Sequence, residues 1–248
     1  MPSFGVTGNT LKDVSGYGGD GTLTNMDAAS DWVATEKGLA LNFDGANDYV
    51  NTIGYGITNN DFPDTHFTAI AWFKWGGSGG GSDGRNYILQ NRANAGSVWP
   101  ISMEVNSRDF NPPRFGTWEY PGPHLNTTKT VEVNRLYQFV VSRGLNNAMK
   151  IYVDGKEELS ATITNNSFPN FRGFYLGTYR TPANRWFHGS ILNVSIYNRA
   201  LSPVEIKQLY LKPAAPFERK RQTVGISTAQ AFNPYWANQA TQLAGTLQ

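Results

Sequence analysis

The chain of 248 residues contains no cysteine, only three histidines and no long apolar run. Without cysteine, the protein has no disulfide, no thiolate nucleophile and no zinc–thiolate site. The histidines, His66, His124 and His188, show no metal-ligand spacing. No segment reaches the roughly 20 apolar residues of a membrane span, and the N-terminus lacks the basic and apolar regions of a signal peptide. We therefore expect no membrane partner.

Charge is also scarce, because only 16% of the residues are charged and the formal net charge is +2. A nucleic-acid-binding domain normally carries a clear excess of basic residues on one face or along one helix. The near-neutral chain shows no such excess overall. Nucleic acid is therefore not among the expected partners.

The sequence also lacks the usual motifs of catalysis. Retaining glycosidases on sandwich folds need two carboxylates about 5 Å apart, and no predicted strand carries the matching Glu-x-Asp-x-x-Glu alternation. There is no phosphate-binding loop and no His-Glu-x-x-His helix. From these absences we expect a protein that is not an enzyme and that takes no cofactor.

What the sequence does contain is a regular series of short apolar runs between residues 39 and 197, separated by clusters of Gly, Asn, Asp and Pro. This spacing is typical of an all-β sandwich. The predicted strands are Ala40 to Phe43, Phe67 to Trp75, Tyr87 to Gln90, Ile101 to Val105, Leu136 to Arg143, Gly173 to Leu176 and Ser190 to Tyr197. Two of them, "FTAIAWFKW" and "LYQFVVSR", are apolar on both faces, which favours a position inside a sheet.

Two local elements are well specified. In "AMKIYVDGKEELSATI", the Asp154-Gly155 pair predicts a two-residue hairpin turn, since both positions of such a turn require positive φ. In "NRALSPVEIKQLYLKP", a helix is predicted with Ser202 as its N-cap, Pro203 in its first turn and Glu205 completing a capping box. Pro213 is expected to end this helix.

Four stretches in this order, "LNFDGANDYV", "FTAIAWFKW", "MKIYVDGKEE" and "HGSILNVSIYNRALSPVEIKQLY", resemble the laminin-G-like/pentraxin-like concanavalin A jelly-roll family. The resemblance covers roughly Leu11 to Leu211. It implies two packed antiparallel sheets, closed by the short helix. We accordingly divide the chain into an N-terminal segment (1–38) packing on the sandwich, a jelly-roll domain (39–212) and an extended C-terminal tail (213–248).

Pentraxin-like members bind calcium through an acidic run that follows a Leu-Gly strand end. At the matching place this chain has Thr178, Tyr179 and Arg180, which cannot replace carboxylate ligands. No metal is therefore expected there. Asp20, Asp44 and Asp48 remain open between turn capping, the commoner role of such residues, and the framing of a structural ion.

Aromatic residues gather in three stretches that we interpret as long connections, "NAGSVWP", "RDFNPPRFGTWEYPGPH" and "YRTPANRW". Sugars dock on such rings while polar neighbours bind their hydroxyls. Packing onto the sandwich edge, or a subunit contact, would use the same residues, and the sequence leaves both readings open. The candidate glycan-binding residues are Trp99, Trp118, Tyr120, Tyr179, Arg180, Arg185 and Trp186.

The tail after Pro213 has too few apolar residues for a core of its own, yet it carries a basic cluster and several aromatic rings. Such a segment is typical of docking onto another surface. The candidate anchor residues are Phe217, Arg219, Lys220, Arg221, Phe232, Tyr235 and Trp236.

The stretches "PFERKRQ" and "NPYW", placed after such a sandwich, resemble the tails of phage virion proteins with laminin-G-like domains. The resemblance implies a capsid decoration or a fibre or tail component, located in the virion and assembled as a homo-oligomer with other virion proteins. Host-surface glycans are a further expected ligand. The alternative is a free-standing glycan-binding adhesion module.

Overall fold

The computed structural model describes residues 8–15, 17–53, 66–77, 84–91, 102–118, 122–163, 173–179 and 185–213. The chain divides into two units, Met1–Pro213 and Ala214–Gln248. All described elements belong to the first unit. The predicted tail residues, from Phe217 to Trp236, lie outside the described residues.

Strands account for nearly all regular structure. In chain order they are β1 (Thr10–Leu11), β2 (Gly21–Thr24), β3 (Trp32–Thr35), β4 (Gly38–Asp44), β5 (Tyr49–Ile53), β6 (Phe67–Trp75), β7 (Arg85–Asn91), β8 (Ser102–Asn106), β9 (Arg114–Trp118), β10 (His124–Thr130), β11 (Leu136–Arg143), β12 (Ala148–Val153), β13 (Lys156–Thr162), β14 (Gly173–Leu176) and β15 (His188–Tyr197). A short 3-10 turn, Leu145–Asn147, precedes β12, and one α-helix, α1 (Pro203–Leu211), follows β15.

The strands form two antiparallel sheets. One has eight strands in the order β1-β2-β5-β14-β7-β8-β9-β10, and the other has seven in the order β13-β12-β11-β6-β15-β4-β3. The all-β, two-sheet sandwich predicted from the sequence is confirmed. The two doubly apolar strands, β6 and β11, pair with each other in the middle of the seven-stranded sheet, as their composition predicts.

The core lies between the sheets and is rich in aromatic rings. Phe73 of β6 contacts Phe115 of β9 edge-to-face across the sandwich, with ring centroids 6.1 Å apart, and Phe187 at 5.9 Å. All three side chains are fully buried. Alternation along each strand supplies this core, since every second residue points inward; Met149, Ile151 and Val153 belong to it as the hairpin pattern predicts.

The predicted hairpin and helix are both confirmed. Asp154 and Gly155 have positive φ (54° and 73°) in the turn between β12 and β13. Ser202 and Glu205 form the reciprocal capping box, and α1 ends at Leu211, two residues before Pro213. The helix packs on the outer face of the seven-stranded sheet through Ile206, next to Leu201. Within the described ranges, no helix is long and apolar enough to cross a membrane.

Six strands were not predicted, namely β1, β2, β3, β5, β9 and β10. The most consequential is β9, because the stretch "RDFNPPRFGTWEYPGPH" was interpreted as a long connection. The structure corrects this interpretation, since Arg114–Trp118 pairs with β8 on one side and with β10 on the other. The sequence did not predict this strand because it contains or follows Pro112, Pro113 and Gly116, and proline and glycine usually indicate turns.

Candidate functional site

The eight-stranded sheet carries a polar cluster on its outer face. Along β8, Met103 and Val105 point into the core, so that Ser102, Glu104 and Asn106 point outward. These three polar side chains are nevertheless almost completely buried. A buried polar row on the outside of a sheet is unusual, because buried residues are normally apolar or hydrogen-bonded.

Strand register aligns further residues with this row. Glu104 lies between Tyr87 of β7 and Gly116 of β9, and Gly116 lies opposite Asn126 of β10. Gln90 lies opposite Ser102 on the same face. Together with Trp118 and His124, a directly paired couple on β9 and β10, these residues define what we call the polar face. Its members are Tyr87, Gln90, Ser102, Glu104, Asn106, Gly116, Trp118, His124 and Asn126.

Glu104 occupies the middle of the polar face. Its side chain is fully buried, and its Oε1 lies 3.3 Å from Nδ1 of His124. The imidazole ring of His124 in turn stacks on the indole of Trp118, with centroids 4.5 Å apart and planes 16° from parallel. Trp118 is fixed by a hydrogen bond from its Nε1 to the carbonyl oxygen of Gly122, at 3.0 Å.

Gly116 allows two side chains to approach each other. A Cβ atom at this position would lie 2.6 Å from Oδ1 of Asn126 and 3.1 Å from Oε1 of Glu104. Both distances are too short for ordinary contacts with carbon. Any larger residue would therefore displace one of these oxygen atoms, and glycine is required by close packing on this face.

Tyr87 lies on the other side of Glu104. Burial and the neighbouring Glu104 carboxylate raise the pKa of Tyr87 well above its usual range, against a weaker opposing effect of Arg185 and Arg85. The hydroxyl therefore stays protonated at every physiological pH and can donate a hydrogen bond. The ring also packs against Tyr179, with centroids 5.0 Å apart.

Three buried atoms on this face make no hydrogen bond of ordinary geometry with the part of the chain that the structure describes, although a looser hydrogen bond between Tyr87 and Glu104 contributes to the raised pKa of Tyr87. They are Oη of Tyr87, Oε1 of Gln90 and Oε2 of Glu104. An unsatisfied buried polar group costs about 1–3 kcal/mol. These three atoms have almost no accessible surface, and buried polar groups of this kind are normally completed by enclosed ordered water.

The edge of the polar face near β7 is held by an ion pair. Arg85 Nη2 lies 3.0 Å from Oδ2 of Asp109, which also accepts a hydrogen bond from Nδ2 of Asn106 at 3.0 Å. The bonds from Asn106 and Arg85 lower the pKa of Asp109. The same Nδ2 atom of Asn106 donates to Asn126 at 3.1 Å, which connects this ion pair with the middle of the face.

The described members of the predicted aromatic set all lie on this sheet's outer side. Trp118 belongs to the polar face itself. The guanidinium of Arg185 stacks on Tyr179, with Cζ 4.4 Å from the ring centroid, and both residues cover Tyr87. Trp186 contacts Tyr49 of β5, with centroids 6.1 Å apart. Three predicted residues, Trp99, Tyr120 and Arg180, lie outside the described residues.

Sequence reasoning missed the polar residues of the site. The available signal was the alternation Ser-Met-Glu-Val-Asn in β8, which places three polar side chains on one face. The predicted strand Ile101 to Val105 already contained four of the five residues of this alternation. Alternation alone does not show burial, however, because the same pattern is typical of an ordinary solvated face.

Two of the three acidic residues considered for an ion, Asp44 and Asp48, accept hydrogen bonds within a turn. Asp44 Oδ1 accepts hydrogen bonds from the N–H groups of Ala46 and Asn47, and Asp48 Oδ2 accepts one from the N–H of Asp44. Asp20 pairs with Lys12. Among the described residues, no group of three acidic, histidine or cysteine side chains lies close enough to hold a metal ion.

Comparison with known families covers most of the sandwich. The family model described as the concanavalin A-like lectin/glucanases superfamily matches residues 44–207, which is more than half of the chain. The chain belongs to this superfamily. No curated protein is significantly similar to it in sequence.

Solved structures share the fold at low sequence identity. Trypanosoma rangeli sialidase in complex with the inhibitor DANA matches with a TM-score of 0.60 and 17% identity over 84% of this chain. The chain spans about a third of the length of that sialidase, namely 32%. Domain 4 of AbnA, a GH43 extracellular arabinanase from Geobacillus stearothermophilus, in complex with arabinotriose, matches with a TM-score of 0.58 and 16% identity, covering 79% of this chain and 90% of that domain.

A third match is a candidate carbohydrate binding protein from Bacteroides ovatus, with a TM-score of 0.51 and 24% identity over 71% of this chain and 48% of that protein. Identities this low show the fold alone. These matches nevertheless correct the prediction that the chain is not an enzyme, because its sandwich is shared with part of a sialidase and with a domain of a glycoside hydrolase. The fold is thus enzyme-related, a relationship that a search for catalytic motifs misses.

Proposed function

We propose that this sandwich is a carbohydrate-binding domain and that the polar face is its binding surface. The observation that carries the proposal is the stack of the Trp118 indole on the His124 imidazole, with both rings and Asn126 partly exposed beside the buried polar row. Sugar rings pack on such an aromatic surface, and their hydroxyls exchange hydrogen bonds with polar neighbours such as His124 and Asn126.

Aromatic rings beside the polar atoms support the proposal. Trp118 lies on one side of Glu104, next to His124, and Tyr87 with Tyr179 lies on the other. Rings present an apolar surface to the C–H groups of a sugar, while neighbouring polar atoms fix its hydroxyls. The combination of rings and polar atoms is therefore more specific than either alone.

The comparisons favour the same class of ligand. Domain 4 of the arabinanase matches over most of its length and is described in complex with arabinotriose. The sialidase relationship concerns only about a third of that enzyme. We propose on this basis that the sandwich binds carbohydrate and that it acts together with carbohydrate-active proteins.

A panel of immobilised oligosaccharides that includes arabinotriose, xylotriose and lactose tests the proposal. We expect the full chain to bind at least one of them, and Trp118→Ala to weaken that binding about tenfold or more, as for an aromatic anchor at an interface. Tyr17→Ala is the matched control, because Tyr17 is 71% exposed in the connection between β1 and β2. Release of reducing sugar, measured in the same samples, shows whether a bound ligand is also hydrolysed.

Two results would contradict the proposal. One is the absence of binding to every member of a broad panel of glycans. The other is equal binding by the wild type and Trp118→Ala, provided that both have the same near-ultraviolet circular dichroism, since the binding surface would then lie elsewhere.

A second candidate function is a virion component anchored by the C-terminal tail, as the resemblance of the tail suggests. Its support is sequence composition alone: three basic residues, Arg219 to Arg221, followed by Phe232, Tyr235 and Trp236. We propose that these residues dock onto other virion proteins in a homo-oligomeric assembly. The test is co-sedimentation with particles that lack the protein. Truncation after Pro213 should abolish incorporation while the sandwich stays folded, and equal incorporation of both forms would exclude the anchor.

A further inference from the structure

We infer that the buried polar row of β8 orients two half-exposed residues of β10, so that His124 presents a hydrogen-bond acceptor and Asn126 a donor to neighbouring hydroxyl groups of one sugar. Glu104 and Asn106 are then positioning residues, because they act through His124 and Asn126. The inference rests on the proposed function and deepens it by naming the atoms that a sugar would meet and the hydroxyl pattern that they fit.

Strand register brings the two rows together. His124 and Asn126 are two residues apart on β10, so both side chains lie on the same face, with their Cα atoms about 6.8 Å apart. Asn126 lies opposite Gly116 of β9, and Gly116 lies opposite Glu104 of β8. Because Gly116 has no side chain, Glu104 and Asn106 can reach across β9 to the residues of β10.

Glu104 determines which nitrogen of His124 carries the proton. Oε1 of Glu104 lies 3.3 Å from Nδ1 of His124. An ionised carboxylate can only accept a hydrogen bond, so Nδ1 must be the donor. In a neutral imidazole, the other ring nitrogen, Nε2, is then a hydrogen-bond acceptor. The side chain of His124 is 23% exposed, so a ligand can reach it although Glu104 is fully buried.

Asp109 fixes the direction of the second hydrogen bond. Its Oδ2 accepts from Nδ2 of Asn106 at 3.0 Å, and Oδ1 of Asn106 accepts from the N–H of Asp109 at 3.2 Å. These two contacts distinguish the nitrogen of the Asn106 amide from its oxygen. The same Nδ2 of Asn106 donates to Asn126 at 3.1 Å, so the atom of Asn126 that it contacts must be the oxygen, Oδ1.

The amide nitrogen of Asn126 is therefore directed away from Asn106, since the oxygen and nitrogen of an amide point in different directions. The position of Oδ1 agrees with this orientation, because it lies over Gly116, where a Cβ atom would be only 2.6 Å from it. Asn126 is half-buried. Its Nδ2 can thus donate a hydrogen bond to a ligand on the face.

The result is an acceptor and a donor side by side, next to the ring of Trp118. A sugar hydroxyl both donates and accepts hydrogen bonds, so one hydroxyl can donate to His124 while its neighbour accepts from Asn126. Hydrogen bonds of about 2.9 Å on each side fit two hydroxyls of one ring between these residues. The class of ligand is a sugar with two free neighbouring hydroxyls, packed against the stack of Trp118 and His124.

Nitrogen NMR of the full chain with isotope-labelled histidine tests the role of Glu104 without any sugar. At about pH 8, where histidine side chains are ordinarily neutral, we expect His124 to carry its proton on Nδ1 and none on Nε2. In Glu104→Gln, the amide can either accept from Nδ1 or donate to it, so the population of this tautomer should fall to about half. Glu157→Gln is the matched control, since Glu157 lies on β13 of the other sheet and pairs with Lys150. It should leave the tautomer of His124 unchanged.

Isothermal titration with the panel sugars tests the role of β10 in binding. Asn126→Asp keeps an oxygen for Asn106 but replaces the donor Nδ2 with an acceptor. We expect the Kd for arabinotriose, or for xylotriose or lactose if one of these is the bound probe, to rise about fivefold or more. His124→Phe keeps a ring beside Trp118 and removes Nε2, so it should cause a similar loss. Asn146→Asp adds the same charge at an exposed position before β12 and should leave the Kd unchanged.

The outcomes keep the inference apart from the proposed function. A wild-type His124 with its proton on Nε2, or on both nitrogens at about pH 8, would overturn the inference whatever sugar binds, and this measurement does not depend on the folding of any variant. An unchanged tautomer in folded Glu104→Gln, or an unchanged Kd in folded Asn126→Asp, would also overturn it while carbohydrate binding stands. Absence of binding to the whole glycan panel would overturn the proposed function, and the inference with it.

Discussion

The two outer faces of the sandwich differ in the balance of their buried side chains. On the seven-stranded sheet, the outer face packs against α1 and is mainly apolar. Its buried apolar members are Ile70, Trp72, Val140, Tyr152, Leu201 and Ile206, and it also holds the buried polar residues Thr68, Gln138 and Ser142. On the eight-stranded sheet, the outer face is equally well buried around β7 and β8, but its side chains are polar. Buried polar atoms without a hydrogen-bond partner among the described residues occur on both faces, on Gln138 of the first and on Tyr87, Gln90 and Glu104 of the second.

Under the proposed function, this difference separates a face that mainly stabilises the fold from a face that binds a ligand. Burying an apolar face beneath a helix removes its surface from water, and this burial contributes directly to the stability of the fold. A buried polar face stabilises the fold poorly unless every group is hydrogen-bonded, so it is retained where it serves another purpose. Substitutions on the first face should therefore affect stability, and substitutions on the second should affect binding.

Trp72→Ala should have the largest effect on stability. Trp72 is only 4% exposed and stacks on Tyr210 of α1, with ring centroids 5.8 Å apart. Loss of this ring should reduce the free energy of unfolding by about 3–5 kcal/mol, measured by urea denaturation. Affinity for the carbohydrate ligand should not change while the protein is folded. Leu211→Ala is the control on α1, the helix that carries Tyr210, because Leu211 is 64% exposed. Similar losses of stability in both variants would show that burial beneath α1 is not what stabilises this face.

Asp48 provides a buried carboxyl that belongs to neither outer face. Burial, together with the charges of Asp44 and Asp31, raises the pKa of Asp48 to about 6. Since an unfolded Asp titrates near 4, the native state holds this proton more tightly, and stability falls as pH rises from about 4 to 6. The loss is on the order of 2–3 kcal/mol.

Asp48→Asn should remove this loss, so that the variant unfolds at a higher temperature than the wild type at pH 7 and its melting temperature changes less between pH 4 and 6. Differential scanning calorimetry over this range measures the effect. Asp20→Asn is the control, because its salt bridge with Lys12 lowers rather than raises the pKa of Asp20. Equal pH profiles in wild type and Asp48→Asn would show that another group controls the slope.

Gly116→Ala should have the smallest effect on stability and a clear effect on binding. The added methyl group forces Asn126 or Glu104 to move, at a cost of about 1–3 kcal/mol for overpacking. Because Glu104 loses its position, affinity for the ligand should fall about tenfold. Gly144→Ala is the matched control, since its Cβ would meet no atom closer than 3.8 Å. Unchanged affinity in folded Gly116→Ala would mean that the polar face is not the binding surface.

Local sequence patterns were sufficient for the elements with strong short-range signals. The Asp154-Gly155 turn, the capping box of α1 and the doubly apolar strands β6 and β11 all depend on residues close together in the chain. The same patterns missed β9, where proline and glycine suggested a connection. Pairing with β8 and β10 overrides that local preference, because strand stability comes from neighbours and burial more than from intrinsic propensity.

The sequence by itself determined that this chain is an all-β sandwich with a capped helix, and it identified Trp118, Tyr179, Arg185 and Trp186 as residues of interest. Only the tertiary structure decided that these residues share one face and that Glu104 lies among them. The physical reason is that strand order is non-local: Tyr87, Glu104, Gly116 and Asn126 come from four strands, and register alone brings them together. Burial is likewise a property of the packed fold. From the sequence alone, the alternation in β8 is the same as that of a strand with one ordinary solvated face.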